Sequence, residues 1–255
     1  MAVEYAPKGL IGLLTPQANT TVEPEHNLLM PPGFAHLNGR MMSDKGTIQA
    51  RLADYVDQLP QAVRQFANAP IQALGVGTTG ASYVVGRERE DRVLAELAHG
   101  SGVPAYTAAT AVLAMLERLG ARRVALASPY PDGLNRLCTA YWESRGLTVV
   151  RVATAETDAS QFHPIYAMSA QAAEALLTGL GEGAEAVVML GTGMPTLAPV
   201  LAANQRAGVP VLSCMLALAW RGVDLIQPGG ADPRPWLTGA HWAHRLREHM
   251  GWSAN

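Results

Sequence analysis

Four short turns in this sequence carry groups that could bind an anion. They are rich in glycine, threonine, serine and proline, and each follows a predicted strand: Thr15-Pro16, Thr78-Thr79-Gly80, Ser128-Pro129-Tyr130 and Gly191-Thr192-Gly193. Turns of this composition can direct backbone N–H groups and short hydroxyls at a negative charge. Ligands of open parallel sheets bind beyond the carboxyl ends of the strands, which is where all four turns fall. The sequence therefore predicts one cleft that binds a small carboxylate.

The two cysteines and one loop histidine are the other side chains that could take part in a reaction. Two cysteines are too few for a disulfide framework or a zinc site by themselves. Cys138 lies on a predicted helix among apolar residues and is expected in the core. Cys214 follows a strand end but begins an apolar run, so a packing role and a chemical role both stay open. His163 lies in a loop that could reach the cleft and is a candidate acid or base.

Gly75, Gly77 and Gly80 match the spacing of the dinucleotide-binding fingerprint. Gly75 falls inside a predicted strand, however, and the following strand has no terminal acid for a ribose. These glycines are expected instead to let the backbone approach something small. The sequence also shows no cluster of metal ligands, so neither a cofactor nor a metal is predicted.

Composition argues against several classes of function. The chain has 19 Lys and Arg against 21 Asp and Glu, a net charge of −2, and no basic patch, so a dedicated nucleic-acid binder is not expected. No apolar run approaches the roughly 18 residues of a membrane span, and the N-terminus lacks signal-peptide features. A cytoplasmic protein is predicted. Lys8 and Lys45 are the only lysines, both in loop-like sequence, which disfavours a pyridoxal-phosphate enzyme.

Apolar runs of strand length alternate with longer amphipathic stretches, which is typical of a parallel α/β sheet. The runs are mostly continuous, as expected for strands that are buried on both faces. The predicted strands are 10–15, 71–76, 103–107, 124–128, 148–152, 186–190 and 209–213. The predicted helices are 49–67, 89–99, 109–119, 134–145 and 170–180.

The two halves of the chain resemble each other. The segment GLIGLLTPQAN (9–19) parallels RRVALASPYPDGLN (122–135), and ALGVGTTG (73–80) parallels VVMLGTGMP (187–195). Ile11 precedes Leu74 by 63 positions, and Val124 precedes Val187 by the same number. A repeated order with equal spacing predicts two similar α/β lobes with a ligand cleft between them. The first lobe is predicted at 1–107 plus 216–255, and the second at 108–215.

Together these segments resemble the maleate isomerase and arylmalonate decarboxylase branch of the aspartate/glutamate racemase superfamily. The stretch LTPQANTTVEPE (14–25) is similar to the opening of maleate isomerases, in which Ser-Ser commonly stands at the positions of Gln17 and Ala18. The similarity continues in order through GTTGASYVVG (77–86), VPAYTAATAVL (103–113), ASPYPDGLN (127–135), GTGMPTL (191–197) and GVPVLSCMLALAW (208–220). It covers nearly the whole chain.

The resemblance implies a cofactor-free enzyme with two pseudosymmetric Rossmann-like lobes around a central cleft. Members of the branch move protons, or form a covalent bond, through cysteine at one or both of two turns. By position in the motifs, four residues resemble those that bind the carboxylate and stabilise an oxyanion: Asn19, Thr79, Gly80 and Tyr130. Pro16 resembles a wall of the cleft. Gly191 and Thr192, in the second turn, are expected to line the same substrate site.

Both cysteine turns depart from the family pattern. The first, of the form Gly-Cys-Thr-Ser, is GTTG (77–80) here, and the second, of the form Ser-Cys-Thr-Asn or Ser-Cys-Gly-Gly, is LGTG (190–193). Thr78 and Gly191 therefore stand where the family has cysteine. A thiol exchanges protons near neutral pH, whereas an alcohol does not do so unaided. Two-thiol racemisation, and addition of cysteine at the usual position, are therefore excluded.

Three interpretations of the function stay open. The first, which the retained carboxylate-binding residues favour, is cysteine-independent lyase or isomerase chemistry on a small carboxylate, with Tyr130, His163 or a water moving the proton and Cys214 as a relocated thiol in a variant. The second is a hydrolase with Thr78 as the nucleophile, although no Ser/Thr-His-Asp arrangement is visible. The third is a non-catalytic carboxylate-binding protein. A homodimer is an expectation from the resemblance alone.

Overall fold

The structure of the protein is a computed structural model, and it describes residues 3–155, 164–206, 208–228 and 232–252. The strands are β1 Gly9–Pro16, β2 Phe34–Met41, β3 Ala73–Val76, β4 Ala105–Thr107, β5 Arg123–Ser128, β6 Thr148–Thr154, β7 Ala186–Met189 and β8 Val211–Ser213. The helices are α1 Val22–Leu29, α2 Ile48–Asp57, α3 Leu59–Val63, α4 Gly80–Ser101, α5 Ala108–Leu119, α6 Asp132–Ser144, α7 Ala170–Ala175, α8 Leu197–Asn204, α9 Cys214–Ile226, α10 Arg234–Leu237 and α11 Ala243–His249. Short 3₁₀ turns lie at Arg64–Phe66 and Pro164–Ala167.

The strands form two four-stranded parallel sheets with the same internal order, β2-β1-β3-β4 and β6-β5-β7-β8. The register is repeated as well, because Ile11 of β1 pairs with Ala73 and Val124 of β5 pairs with Ala186, each 62 positions further along. The prediction of two pseudosymmetric α/β lobes is therefore confirmed. We call the sheet that contains β1, with its connecting helices, the first lobe and the sheet that contains β5 the second lobe.

The central strands are buried on both faces, which explains their continuous apolar sequence. Every residue of β1, β3 and β7 is buried. The edge strand β2 was not predicted, because its sequence FAHLNGRM mixes polar and apolar residues and half of its positions are only partly buried. An edge strand with a partly solvated surface gives a weak pattern.

Several helix boundaries differ from the predicted ones for local reasons. The helix predicted at 49–67 is divided into α2, α3 and a 3₁₀ turn, with Pro60 in the first turn of α3. The helix predicted at 89–99 begins earlier, at Gly80, and is interrupted at Gly86, where φ is +74°. The helix predicted at 170–180 ends at Ala175. Helix α9 was not predicted, because its first seven residues, CMLALAW (214–220), are a continuous apolar run that does not distinguish a buried helix from other core segments.

Helix α9 packs against β1 and β3 of the first lobe and against α5, while α10 and α11 pack against α8 of the second lobe. The lobe boundaries at 107/108 and 215/216 stay a prediction. None of the helices in the described part of the chain combines the length and the hydropathy that a bilayer crossing requires.

Candidate functional site

The first-lobe turn, residues 77–80, joins β3 to the N-terminus of α4. Thr79 is the N-cap residue of α4, yet its side chain makes no capping hydrogen bond to the helix. The Thr79 hydroxyl lies 2.9 Å from the Tyr130 hydroxyl instead. The first N–H groups of an α-helix have no acceptor within the helix. The N-terminus of α4 is therefore left without a cap from Thr79, and its N–H groups are suited to bind a carboxylate.

Tyr130 brings a phenol from the second lobe to this turn. It lies in the loop between β5 and α6, where its backbone N–H donates to Ser128 Oγ at 3.2 Å and its carbonyl accepts from Asn135 Nδ2 at 2.7 Å. These two contacts fix the loop on both sides of the residue. Burial raises the pKa of the Tyr130 phenol well above its ordinary value. Tyr130 therefore keeps its proton at neutral pH and is able to donate a hydrogen bond.

Asn19 and Thr192 join the two lobes through one chain of hydrogen bonds. The Asn19 Oδ1 accepts the backbone N–H groups of Thr21 and Val22 at 2.8 and 2.9 Å, which orders the start of α1. The Asn19 Nδ2 donates to Thr192 Oγ1 at 3.5 Å. The Thr192 hydroxyl in turn donates to the carbonyl of Gly77 at 2.8 Å. The structure thus brings these two predicted binding residues into contact with each other and with the first-lobe turn.

The second-lobe turn, residues 190–196 between β7 and α8, is packed tightly against neighbouring side chains. Gly191 has a φ of +81°, and a Cβ there would lie 2.6 Å from Pro129 Cγ and 2.7 Å from Ile165 Cδ1. A Cβ on Gly193 would lie 2.6 Å from two ring carbons of Tyr166. Other side chains therefore occupy the space that a cysteine at position 191 would need.

Thr78, the residue expected at the other cysteine position, is 5% exposed and lines a small cavity with Val56 of α2 and Ser82 of α4. In the described part of the chain no histidine or carboxylate forms a hydrogen bond with its hydroxyl. The two cysteines of the chain, Cys138 and Cys214, are both buried. Burial raises the pKa of the Cys138 thiol to about 12 and that of Cys214 further, so both remain protonated. Cys138 lies in the core as predicted.

The remaining predicted site residues lie around the same turns. Pro16 ends β1, is buried, and accepts the Asn19 N–H at 3.0 Å through its carbonyl. Gly80 begins α4, and a Cβ there would lie 3.4 Å from the Tyr130 hydroxyl. His163 lies outside the described residues. Gly75 lies within β3, where a Cβ would meet the Tyr106 hydroxyl at 2.9 Å, so the close approach at this glycine is to a neighbouring side chain.

Two arginines near the site were not singled out from the sequence. Arg40 of β2 donates to the carbonyls of Pro16 and Asn19 at 3.2 and 3.0 Å and forms an ion pair with Glu23. Burial raises the pKa of the Tyr166 phenol, and the nearby charges of Arg51 and Arg40 oppose that shift. Arg40 lies at the carboxyl end of β2, where it pairs with Thr15 of β1, and it was missed because β2 was not predicted. Arg51 is on helix α2, so no strand-end pattern indicated it. The described residues contain no group of three or more His, Cys, Asp or Glu side chains that could hold a metal ion.

A model of the arylmalonate decarboxylase family matches residues 11–234 of this chain. The chain belongs to the arylmalonate decarboxylase family. Arylmalonate decarboxylase of Bordetella bronchiseptica is 28% identical over 245 residues, which are 91% of this chain and 96% of that protein. Maleate isomerase of Nocardia farcinica is 31% identical over 228 residues, which are 84% of this chain and 90% of that protein. The resemblance seen in the sequence is confirmed.

Solved structures of the arylmalonate decarboxylase family and its neighbours have the same fold. The maleate isomerase of Pseudomonas putida S16 superposes with a TM-score of 0.78 at 21% identity, covering 91% of this chain and 99% of that one. A cysteine-to-serine variant of the Nocardia farcinica maleate cis-trans isomerase, described with a covalently bound succinylcysteine intermediate, gives a TM-score of 0.74 at 27% identity, with 85% and 93% covered. That relative uses a cysteine covalently, whereas the cysteines of this chain are the buried Cys138 and Cys214.

Proposed function

We propose that this protein is a cofactor-independent lyase or isomerase that acts on a small carboxylate through an enolate-like intermediate and without a cysteine. Its relatives are an arylmalonate decarboxylase and a maleate isomerase, and a variant of the Pseudomonas putida isomerase is described with maleate. The observation that carries the proposal is the pair of hydroxyls from Thr79 and Tyr130 at the N-terminus of α4, which Thr79 does not cap.

These groups suit a reaction in which negative charge develops on a carboxylate. When a carbon next to a carboxylate loses CO₂ or a proton, the electron pair left on that carbon delocalises into the carboxylate as an enediolate. Donors that already point at the developing charge stabilise it without reorganising, and a single donor of this kind commonly contributes about 3 kcal/mol. The N–H groups of α4, the Thr79 hydroxyl and the Tyr130 hydroxyl supply such donors in a mostly buried site.

The intermediate is completed by a proton that forms a new C–H bond. Tyr130 holds its proton at neutral pH and donates a hydrogen bond to the enediolate oxygen. Because burial raises the pKa of its phenol, full transfer of that proton is unfavourable, so a water supplies the proton that forms the C–H bond and leaves as hydroxide. His163 remains a second candidate for this transfer, and His163→Ala tests it through a change in the pH dependence of kcat. Cys214 is disfavoured in this role, since it is completely buried and its pKa is raised.

The first experiment is proton NMR of the purified protein in D₂O with maleate, substituted malonates, α-aryl acids, hydroxy acids and cyclic imides or lactones. Conversion of an acid, or uptake of deuterium next to its carboxylate, is the expected result and names the bond that changes. The Tyr130→Phe variant should lose that conversion while retaining its fold. A ligand that raises the melting temperature without being converted would overturn the proposal in favour of a binding protein.

The hydrolase interpretation receives no support from the described residues, because Thr78 has no hydrogen-bonded base there. Hydrolysis of an imide or lactone in the same panel, lost in Thr78→Val and kept in Thr78→Ser, would revive it. The two activities differ in the product that NMR detects, so one set of spectra distinguishes them.

A further inference from the structure

Glu25 is a buried carboxylate for which the proposed chemistry has no role. It lies on α1, whose residues Val22, Glu25, His26 and Leu29 are buried at the spacing of one helix face. The Glu25 residue is only 7% exposed. An acidic side chain in that position requires hydrogen-bond partners, because removing a carboxylate from water without them is strongly unfavourable.

All hydrogen-bond partners that the structure records for the Glu25 carboxylate lie at the N-terminus of α8 in the second lobe. Its Oε1 accepts the backbone N–H of Thr196 at 2.6 Å and that of Leu197 at 3.3 Å. Its Oε2 lies 3.0 Å from Thr196 Oγ1. Thr196 is the N-cap of α8 and makes no capping bond with its own side chain. Glu25 therefore caps this helix from the other lobe, where an acidic group is favoured by the helix dipole.

The contact between Glu25 and α8 joins two segments that carry predicted binding residues. Helix α1 follows Asn19 and Thr21, and Thr21 Oγ1 donates to the carbonyl of Gly193 at 2.9 Å. Helix α8 follows the second-lobe turn that contains Gly191 and Thr192. The Asn19–Thr192 and Thr21–Gly193 contacts thus hold one end of this turn, and Glu25 holds the other end.

We propose that Glu25 is a positioning residue whose carboxyl group fastens the start of α8 to α1 and so fixes the second-lobe turn against the Asn19 loop. The proposal rests on the proposed function only in taking this cleft as the active site. Glu25 does not touch the substrate in this account. Its effect on the reaction is exerted through Thr192 and Gly193, whose positions depend on where α8 begins.

The geometry accommodates both protonation states of the side chain. When ionised, Glu25 accepts all three hydrogen bonds. When protonated, Oε1 still accepts the two N–H groups, while Oε2 donates to Thr196 Oγ1. Gln reproduces the second arrangement, because its carbonyl oxygen accepts the N–H groups and its amide donates to the hydroxyl. Cys214 at the start of α9 is the titratable side chain that interacts with Glu25, and its thiol stays neutral.

The test compares Glu25→Gln with Glu25→Ala by amide hydrogen exchange and by kinetics. In Glu25→Ala, the amides of Thr196 and Leu197 should lose protection, and kcat should fall by about 10- to 100-fold, as misplacement of a site element causes. Glu25→Gln should keep the protection and most of the kcat. Thr196→Val, which removes only the hydroxyl contact, should reduce protection less and remains informative if Glu25→Ala does not fold.

Glu90→Gln is the matched control. Glu90 of α4 is 3% exposed and also joins the two lobes. It accepts from Tyr141 of α6 at 2.5 Å and from Arg145, the C-cap of α6, at 2.6 Å, so its contacts involve α4 and α6 instead of α1 and α8. Glu90→Gln should lower the melting temperature without changing exchange at residues 192–197. Unchanged protection in both Glu25→Ala and Thr196→Val would overturn the proposal. The exchange measurement needs no substrate, so failure to find a substrate would count against the proposed function and leave this result standing.

Discussion

The two site turns occupy equivalent places in the two lobes, yet they are built in opposite ways. The first-lobe turn leads into α4, whose N-cap Thr79 turns its hydroxyl to Tyr130 instead of capping the helix. The second-lobe turn leads into α8, whose first N–H groups are taken by Glu25. Its two glycines are covered by Pro129, Ile165 and Tyr166. The N-terminus of α4 is not capped by Thr79, whereas the N-terminus of α8 is capped by Glu25 and the space around Gly191 and Gly193 is occupied by other side chains.

This difference bears on the prediction that Thr78 and Gly191 stand at the two cysteine positions, because a cysteine at position 191 would not fit the second-lobe turn without other side chains moving. A symmetrical pair of proton-transferring groups needs an open position on both sides of the substrate carbon. Here the second position is closed by packing, and the proposed function assigns the stabilisation of charge to the first-lobe turn and Tyr130. The asymmetry is consistent with chemistry in which one face stabilises an intermediate and a single group returns the proton.

Of the changes that test the contrast between the two turns, removal of the Tyr130 hydroxyl at the first-lobe turn should have the largest effect on the reaction. Tyr130→Phe should lower kcat by about 100- to 1000-fold, which is the usual effect of removing one oxyanion donor. The rate of conversion of the substrate found by NMR measures it. Tyr106→Phe is the control, because that phenol is buried and has no hydrogen-bond partner among the described residues. A Tyr130→Phe enzyme with full kcat would remove the phenol from the mechanism.

Adding a side chain to the second-lobe turn should destabilise the protein. Gly191→Ala should lower the free energy of unfolding by about 2–4 kcal/mol, since it combines a left-handed φ with overlap against Pro129 and Ile165. Gly120→Ala separates the two causes, because Gly120 has a φ of +71° and open space around it, so only about 1 kcal/mol of strain is expected. Urea unfolding measures both. Equal losses in the two variants would show that position 191 is not sterically closed.

The Glu25 contact should make stability depend on pH. Burial raises the pKa of Glu25 from 4.5 to about 7, so its contribution is fully present below about pH 4.5 and is lost as pH rises through about 7. Glu25→Gln cannot titrate and should be more stable than wild type at pH 8 by about 1–3 kcal/mol, with the difference shrinking below about pH 7 and vanishing below about pH 4.5. His26 and His36, whose pKa values burial lowers, act in the opposite direction in both proteins. The difference between the two unfolding curves therefore isolates Glu25, and a constant difference across pH 5–8 would contradict the assignment.

Thr78 should give the smallest effect. Thr78→Val keeps the shape of the side chain and removes the hydroxyl, which has no hydrogen-bonded base in the described part of the chain. The expected loss in kcat is less than about tenfold, below the 100-fold or more that removal of a nucleophile causes. Steady-state kinetics of Thr78→Val and Thr78→Ser decide the matter. Complete inactivity of the Val variant alone would make Thr78 a nucleophile.

Much of the fold was predictable because its signals are local. The buried strands β1, β3 and β7 are short continuous apolar runs, and the equal spacing of the two halves gave the repeated sheet order. The edge strand β2 was missed because polar and apolar residues are mixed along it, and α9 was missed because it begins with a continuous apolar run. Glu25 could have been suspected, because a charged residue stands at a core position of the i, i+3, i+4, i+7 pattern that Val22, His26 and Leu29 complete.

The sequence by itself determined the two α/β lobes and the four strand-end turns, and it predicts that Thr78 and Gly191 stand at the two cysteine positions of the family. Only the tertiary structure decided which groups meet. Thr79 and Tyr130 are 51 positions apart, and Glu25 and Thr196 are 171 positions apart. Patterns within a strand or helix are set by neighbouring residues, whereas these contacts depend on how one sheet lies against the other. That placement results from the packing of the whole core. It directs the Thr79 hydroxyl of the first-lobe turn to Tyr130 and fills the second-lobe turn with neighbouring side chains.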